Sequence, residues 1–391
     1  MVTAEQAYLV GGFALMLLVA GWLARTGVLV PLEKAGKYAS IDGLRGFAAT
    51  FVFFHHAHIW LIYRQGGVWE EPASRSFALL GKAGVWVFFM ITSFLFVGRL
   101  LDARAKGGFD WLRFFVSRFL RIAPLYYFVL AVMVLLVAVY VRPRGGMDTA
   151  SDMLAYAKWI AFGVTGRPDF AEVDVLPLTA GVTWTLAYEW TFYLALPLCA
   201  FALSVRVNKA LLAASAAVTL VLLYYNHSFG SFGAFFLGGL VAWLVRAGTL
   251  RGFATTRMAS ALCVGLIVLL VALPKGRPLL DLGLLFVFFW LVAQGCTVFG
   301  CFALRSVRYL GQISYSIYLT HGLLLYLLMS LRAGSAPTLH GHWLAACGLG
   351  VALVVSASVT YRLFERPFMR RVDWLTERLR RAGAAATPAP R

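Results

Sequence analysis

Long apolar runs separated by short polar connections are the feature that most constrains this chain. About eleven runs of roughly 17–25 residues recur along its 391 residues, and hydrophobic side chains make up 61% of the total. A helix of that length crosses the hydrocarbon core of a bilayer. Only 13% of the residues are charged, which excludes an ordinary soluble globular protein. The sequence therefore predicts an all-α, polytopic integral membrane protein with about eleven transmembrane helices.

The first apolar run is too long for the core of a signal peptide, and no A-x-A cleavage site follows it, so we expect a retained helix. The predicted spans lie at residues 7–30, 44–63, 83–101, 122–141, 182–203, 209–225, 231–246, 258–273, 279–299, 313–331 and 344–363.

The basic residues predict the orientation of these spans. In a soluble chain a net charge of +18 would suggest a nucleic-acid partner, but here Lys and Arg lie mostly in alternate connections between apolar runs. Anionic membrane lipid is therefore the expected partner, and nucleic acid is not. The positive-inside rule makes the 31–43 and 102–121 connections cytoplasmic and the 142–181 loop extracytoplasmic, with 152–166 lying on or dipping into the outer surface. The N-terminus is then periplasmic and the C-terminus cytoplasmic.

Metal and soluble-enzyme signatures are missing from the sequence. The five cysteines lie in or beside apolar runs without C-x-x-C spacing, which favours small buried hydrophobes over a metal site. The chain has no G-x-S-x-G elbow, Walker loop, H-E-x-x-H or G-x-G-x-x-G. Any nucleophile would have to be a histidine or an acceptor hydroxyl that the histidine activates.

The second span carries ionisable groups that an apolar helix does not hold without a reason. Asp42 and Arg45 stand at its start, and His56 lies in a His-His-Ala-His sequence further along. Arg45 and His56 are eleven positions apart, so they differ by about 20° around the helix and roughly 16 Å along it. We therefore predict that Arg45 and His56 line one intramembrane cavity.

Three further polar features each allow a structural and a functional interpretation. Glu189 lies in an apolar span, where it either forms a structural ion pair or faces the cavity of His56. Arg118 and Arg121 share a helix face, and their guanidinium groups suit either lipid headgroups or the phosphates of a coenzyme. His321 continues a polar seam with Tyr318 and Ser314, which either packs helices or lines a cavity.

Taken in order, these stretches resemble the acyltransferase 3 family of integral-membrane O-acyltransferases. In that family an Arg and a His with ten residues between them occupy the first core helix, as Arg45 and His56 do here, and the Ile-Asp-Gly-Leu-Arg-Gly opening at 41–46 is similar. The other similar stretches are 84–95, 118–127, 184–197, 310–321 and 364–367. The family core has ten helices, which implies an added N-terminal span. Residues 1–37 would be that helix and its linker, 38–370 the acyltransferase domain, and 371–391 a basic cytoplasmic tail. The end of the chain from 364 is basic, amphipathic and then rich in Ala and Pro, so we expect it to fray.

The resemblance implies transfer of an acyl group, usually acetyl from cytoplasmic acetyl-CoA, to a hydroxyl on a surface or lipid-linked glycan such as O-antigen. The implied catalytic residues are His56, Glu189, Arg45 and Asp42, with Asp42 paired to Arg45. The expected donor-binding residues are Arg45, Arg118, Arg121, Tyr315 and His321. The expected acceptor-binding residues are Trp184, Glu189 and Tyr193. His56 would act either as a general base or as a nucleophile that carries the acetyl group.

A transporter or flippase for a glycan or lipid-linked intermediate is the alternative function. Intramembrane ionisable residues would suit proton relay or substrate binding equally well. The sequence has no internal repeat, which many transporters have, and its paired cytoplasmic arginines favour the enzyme.

The predicted topology can be tested with reporter fusions. A reporter that functions only in the cytoplasm should be active when it is fused after Arg391, because the basic connections place the C-terminus there. Activity of an export-dependent reporter, fused at the same position, would contradict the predicted orientation.

Overall fold

A computed structural model describes residues 3–141, 149–169, 173–250, 252–330 and 338–385. These residues form sixteen α-helices, a 3₁₀ turn at Cys301–Ala303 and a π-helical turn at Tyr361–Glu365. The helices are α1 (Ala4–Thr26), α2 (Ala39–Gly66), α3 (Arg75–Lys106), α4 (Trp111–Val141), α5 (Thr149–Ile160), α6 (Leu176–Thr179), α7 (Trp184–Ala202), α8 (Lys209–Tyr225), α9 (Phe229–Arg246), α10 (Arg257–Ala272), α11 (Pro278–Ala293), α12 (Arg305–Gln312), α13 (Ser314–Ser330), α14 (Leu339–Thr360), α15 (Arg366–Met369) and α16 (Val372–Ala385).

The predicted all-α, multi-pass class is confirmed, and each predicted span falls on a helix. Within the described ranges, five helical stretches are long and apolar enough to cross a bilayer: α1, α3, most of α4, α9, and the run from Leu339 to Ala385. The bent pair of α12 and α13 would add a sixth. The apolar helices α8, α10 and α11 are shorter, at 16 or 17 residues. The count of eleven therefore stays a prediction.

The predicted outer loop is described only in part, because 142–148 and 170–172 lie outside the described residues. Helix α5 covers much of the segment expected at the outer surface, and its Trp159 is buried. The Tyr126 hydroxyl donates a hydrogen bond of 2.6 Å to the Trp159 carbonyl oxygen. This segment is therefore fastened to α4.

Helix α2 lies at the centre of the helix packing and contacts α3, α12 and α13. Glycines allow this close approach. A Cβ on Gly43 would overlap the backbone of Phe302, and one on Gly46 would lie 2.5 Å from the Val307 carbonyl oxygen. On the facing helix, a Cβ on Gly311 would overlap the carbonyl oxygen of Asp42. Small residues at helix crossings of this kind let membrane helices pack backbone to backbone.

The chain bends by 71° between α12 and α13. Because the break comes just before Ser314, the first turns of α13 bring Tyr315 and Tyr318 against an internal cavity that is also lined by Ser314. The predicted span at 313–331 thus begins with a sharp turn that the apolar pattern does not indicate.

The C-terminal tail does not fray where it is described. Helix α16 packs against α4. Arg113 on α4 pairs with Asp373 at 2.7 Å, and Arg380 pairs with Asp110, just before α4. Burial raises the pKa of Asp110, but hydrogen bonds from Arg380 and the Arg113 amide, with the charges of both arginines, leave it below the usual value. Residues 386–391 lie outside the described part of the chain.

The close crossing of α2 and α12 predicts the effect of one added methyl group. Gly311→Ala should lower the free energy of unfolding by about 3 kcal/mol or more, because overpacking against rigid backbone has no flexible side chain to displace. Gly265→Ala is the matched control, since no atom lies within 4 Å of its Cβ position in α10. Thermal unfolding of the purified variants in detergent measures both effects. Equal melting temperatures for the two variants would contradict the crossing.

Candidate active site

A cavity of about 360 Å³ lies among α2, α3, α4, α7, α12 and α13. Its lining carries six basic side chains and three acidic ones, an excess of three positive charges (6 − 3). The basic residues are Lys34, Arg45, Arg99, Arg118, Arg121 and Arg308, and the acidic residues are Glu33, Asp42 and Glu189. A cationic cavity with partly apolar walls suits an anionic ligand with an apolar arm.

Arg45 is an unpaired cation in this cavity. The expected pair with Asp42 is not formed, since no ion pair within 4.0 Å joins the two side chains although both line the cavity. Within the described ranges Arg45 makes no hydrogen bond to the protein. Its guanidinium group is therefore available to a ligand.

Arg118 and Arg121 both line the cavity, as their shared helix face predicts, but their partners differ. The Arg118 guanidinium lies 4.7 Å from the centre of the Phe96 ring and also interacts with Tyr193. Arg121 forms an ion pair with Glu365, lies 3.3 Å from the Met369 sulfur, and stacks over Tyr315. Arg118 thus keeps its charge for a ligand, whereas the charge of Arg121 is balanced within the protein.

Glu365 is a buried acidic residue beside the cavity to which the sequence assigns no role. Its side chain is fully buried, and it accepts hydrogen bonds from Ser316 on α13 and Arg121 on α4. It lies in the Phe-Glu-Arg-Pro sequence at 364–367, one of the stretches that resemble the acyltransferase 3 family. That resemblance is the sequence signal that could have pointed to Glu365. Arg99, Lys34 and Thr92 also line the cavity without having been singled out.

Glu189 and Tyr193 line the cavity from α7, while Trp184, at the start of the same helix, does not. The Thr92 hydroxyl lies 3.5 Å from Glu189, at the outer limit of a hydrogen bond, and no ion pair from the described part of the chain reaches the carboxylate within 4.0 Å. Trp184 packs edge-on against Phe89 and Tyr188. Among the described residues, the structural ion pair considered for Glu189 is therefore not formed.

His56 is hydrogen-bonded to a second histidine, His321 on α13. His56 Nδ1 lies 2.9 Å from the Val52 carbonyl oxygen and 3.1 Å from His321 Nε2. His321 Nδ1 lies 3.2 Å from the Ile317 carbonyl oxygen. Because a carbonyl oxygen only accepts, both Nδ1 atoms carry protons, and His321 Nε2 accepts from His56. No described residue is hydrogen-bonded to Nε2 of His56, so this arrangement leaves its lone pair free.

The cavity lining includes Arg45 but neither His56 nor His321. Tyr318 links the two regions, because it lines the cavity and its ring lies 6.0 Å from that of His321. Tyr315 lines the cavity, as expected of a donor-binding residue, whereas His321 is fully buried against His56. The hydrogen bond between the two histidines therefore fixes the orientation of the His56 ring.

The fold and this site define a multi-pass membrane protein with a cationic internal cavity beside a pair of histidines. The family model described as an acyltransferase domain, of the acyltransferase 3 family, matches residues 38–361. The chain therefore belongs to the acyltransferase 3 family.

Two curated relatives are similar to parts of the chain. Nodulation protein 10 of Rhizobium leguminosarum bv. viciae is 32% identical over 180 residues, covering 42% of this chain and 45% of that protein. Peptidoglycan O-acetyltransferase OatA of Listeria monocytogenes is 27% identical over 165 residues, covering 41% of this chain and 24% of that protein. The chain thus spans less than half the length of either relative. No solved structure matches it.

Removing the partner of Arg121 should destabilise the protein strongly. Glu365→Ala leaves a buried guanidinium without its counter-charge, which costs about 3–5 kcal/mol in comparable buried pairs. Glu377→Ala is the control, since its pair with Arg381 is exposed and 3.9 Å long, and such pairs contribute about 0–1 kcal/mol. Melting temperatures in detergent distinguish the two. A Glu365→Ala variant as stable as Glu377→Ala would contradict the role of this pair.

Proposed function

We propose that the protein transfers an acetyl group from cytoplasmic acetyl-CoA to a hydroxyl of a surface or lipid-linked polysaccharide, such as O-antigen. The main observation that supports this proposal is the free Nε2 of His56, which His321 orients beside a cationic cavity. The name of the Listeria relative supports acetyl transfer to oxygen. The protein would act in the bacterial inner membrane, with a periplasmic N-terminus and a cytoplasmic C-terminus.

The cationic cavity is the proposed donor site. Coenzyme A carries several phosphates on one end and a thioester on a flexible, largely apolar arm. Within the residues that the structure describes, Arg45, Arg99 and Arg118 have no carboxylate partner within 4.0 Å, so their guanidinium groups can bind phosphate oxygens. Arg121 would act by shape and stacking with Tyr315, since Glu365 neutralises its charge. The arm would then extend towards Tyr318 and the histidine pair.

His56 is the proposed general base. Its Nε2 takes the proton of the acceptor hydroxyl while the oxygen attacks the thioester carbonyl carbon. A C–O bond forms and the C–S bond breaks, and the proton passes to the leaving thiolate. His56 must be neutral before this step, and the Val52 and His321 contacts suit its neutral tautomer. Exclusion of water from the apolar surroundings limits hydrolysis of the thioester.

The acceptor sugar is proposed to bind at α7. Glu189 has a carboxylate without an ion-pair partner within 4.0 Å, which suits a hydrogen bond from a sugar hydroxyl. Trp184 offers a half-buried ring for a sugar to pack against, and Tyr193 adds a hydroxyl. Asp42, at the Arg45 end of the cavity, helps to set the field around Arg45 rather than pairing with it directly.

Replacement of His56 tests the catalytic proposal. His56→Ala should reduce acetyl transfer from acetyl-CoA to a lipid-linked oligosaccharide by about 10²–10⁴-fold, the usual contribution of a positioned base. His227→Ala, an exposed histidine outside the cavity, should retain normal transfer. Product formation by the purified, folded variants is the measurement. Near-normal transfer by His56→Ala would exclude His56 as the base, and transport of a glycan without transfer would favour a flippase.

Loss of the orienting histidine should have a smaller effect than loss of the base. His321→Phe removes one hydrogen bond to His56 while the Val52 carbonyl still holds the tautomer, so kcat should fall roughly five- to tenfold. The KM for acetyl-CoA should stay unchanged, because His321 does not line the cavity. A raised KM with normal kcat would instead make His321 a donor-binding residue.

A further inference from the structure

Residues 32–34 lie before the stretch that matches the family, yet they form part of the cavity wall. They belong to the connection between α1 and α2, and Leu32, Glu33 and Lys34 all line the cavity. We call residues 31–34 the rim segment. Because the family match begins at residue 38, this wall is supplied from outside the matched domain.

The rim segment is fixed to α12 by hydrogen bonds of its backbone. The Glu33 amide donates to Gln312 Oε1 at 3.0 Å, and Gln312 Nε2 donates to the Pro31 carbonyl oxygen at 3.1 Å. Arg308 Nη2 donates to the Glu33 carbonyl oxygen at 2.9 Å. Three backbone groups are thus held by two side chains of one helix, so the rim segment has a defined position.

The Glu33 side chain is occupied as well. Its Oε1 accepts a hydrogen bond of 3.2 Å from the Tyr361 hydroxyl, which also lines the cavity. The contact directs the carboxylate towards Tyr361, and no ion pair within 4.0 Å joins Glu33 to Lys34. Glu33 therefore leaves the neighbouring lysine without a counter-charge.

Lys34 is an exposed cation of the cavity rim, and within the described ranges it makes no hydrogen bond or ion pair with the protein. Its neighbour Glu33 interacts with Asp42, and Asp42 in turn interacts with Arg45. Lys34 therefore lies at the Arg45 end of the cavity. An ammonium group on a flexible stem at a cavity mouth suits a phosphate that stays partly hydrated. The nucleotide end of a donor whose arm enters the cavity would leave its phosphates at this mouth.

We propose that Lys34 is a donor-specificity residue, which binds a phosphate of the nucleotide end of the acyl donor from outside the family domain. The inference rests on the proposed function, because it assumes a phosphate-bearing thioester donor. Its consequence is a preference for the complete coenzyme over a thioester that lacks the nucleotide. The added N-terminal helix and its connection would then contribute to donor choice.

Two lysines of the same connection allow a matched test. Lys37 is also exposed, but it does not line the cavity and instead lies 5.3 Å over the Tyr38 ring. The full-length variants Lys34→Ala and Lys37→Ala would be assayed with acetyl-CoA and with acetyl-pantetheine, which keeps the thioester arm and lacks the nucleotide. Lys34→Ala should lower kcat/KM for acetyl-CoA about fivefold, as expected for one partly exposed charge-assisted contact.

The donor comparison separates the possible outcomes. Support requires that Lys34→Ala leave kcat/KM for acetyl-pantetheine unchanged and that Lys37→Ala alter neither donor. An equal loss with both donors, an equal loss in Lys37→Ala, or an unchanged value for acetyl-CoA in Lys34→Ala would overturn the role of Lys34. A wild-type protein that transfers acetyl from neither donor would overturn the proposed function, and this inference with it.

Discussion

The buried ion pair between Arg121 and Glu365 is the interaction on which the cavity depends. It joins α4 to the π-helical turn after α14, and Ser316 extends the contact to α13. Removing two charges from water costs free energy that only their close contact offsets, so each charge fixes the position of the other within narrow limits. The pair therefore holds one wall of the cavity in place and removes one positive charge from it. The field that a ligand meets comes mainly from the arginines without carboxylate partners.

The cationic cavity and the histidine pair lie at different positions along α2. Arg45 lies in the cationic cavity, while His56 lies beyond it in a neutral hydrogen-bonded pair with His321. A phosphate-binding end must be positive, whereas a general base must be neutral and must keep a lone pair. In the proposed mechanism a single helix would meet both requirements, because its eleven-residue interval keeps the two side chains nearly in line while setting them about three turns apart.

Features with local periodicity could be predicted from the sequence. Apolar runs located the helices, and the three-residue interval between Arg118 and Arg121 put both on the cavity. Pairings between distant residues could not be predicted: His321 is 265 positions from His56, and Glu365 is 244 from Arg121. Closeness in the chain does not guarantee contact either: Asp42 was expected to pair with Arg45, three positions on, and no ion pair within 4.0 Å joins these two described residues. The sequence around the 71° bend before α13 has no proline, and Gly311, two residues before Ile313, was not taken as a helix break.

In the proposed function this cavity and His56 together acetylate a surface polysaccharide. Mass spectrometry of that polysaccharide tests it most directly, using cells with the intact chain, without the chain, and with a folded His56→Ala variant. We expect the mass of the sugars to be higher by one acetyl group only in cells with the intact chain. Equal acetylation in all three would contradict it.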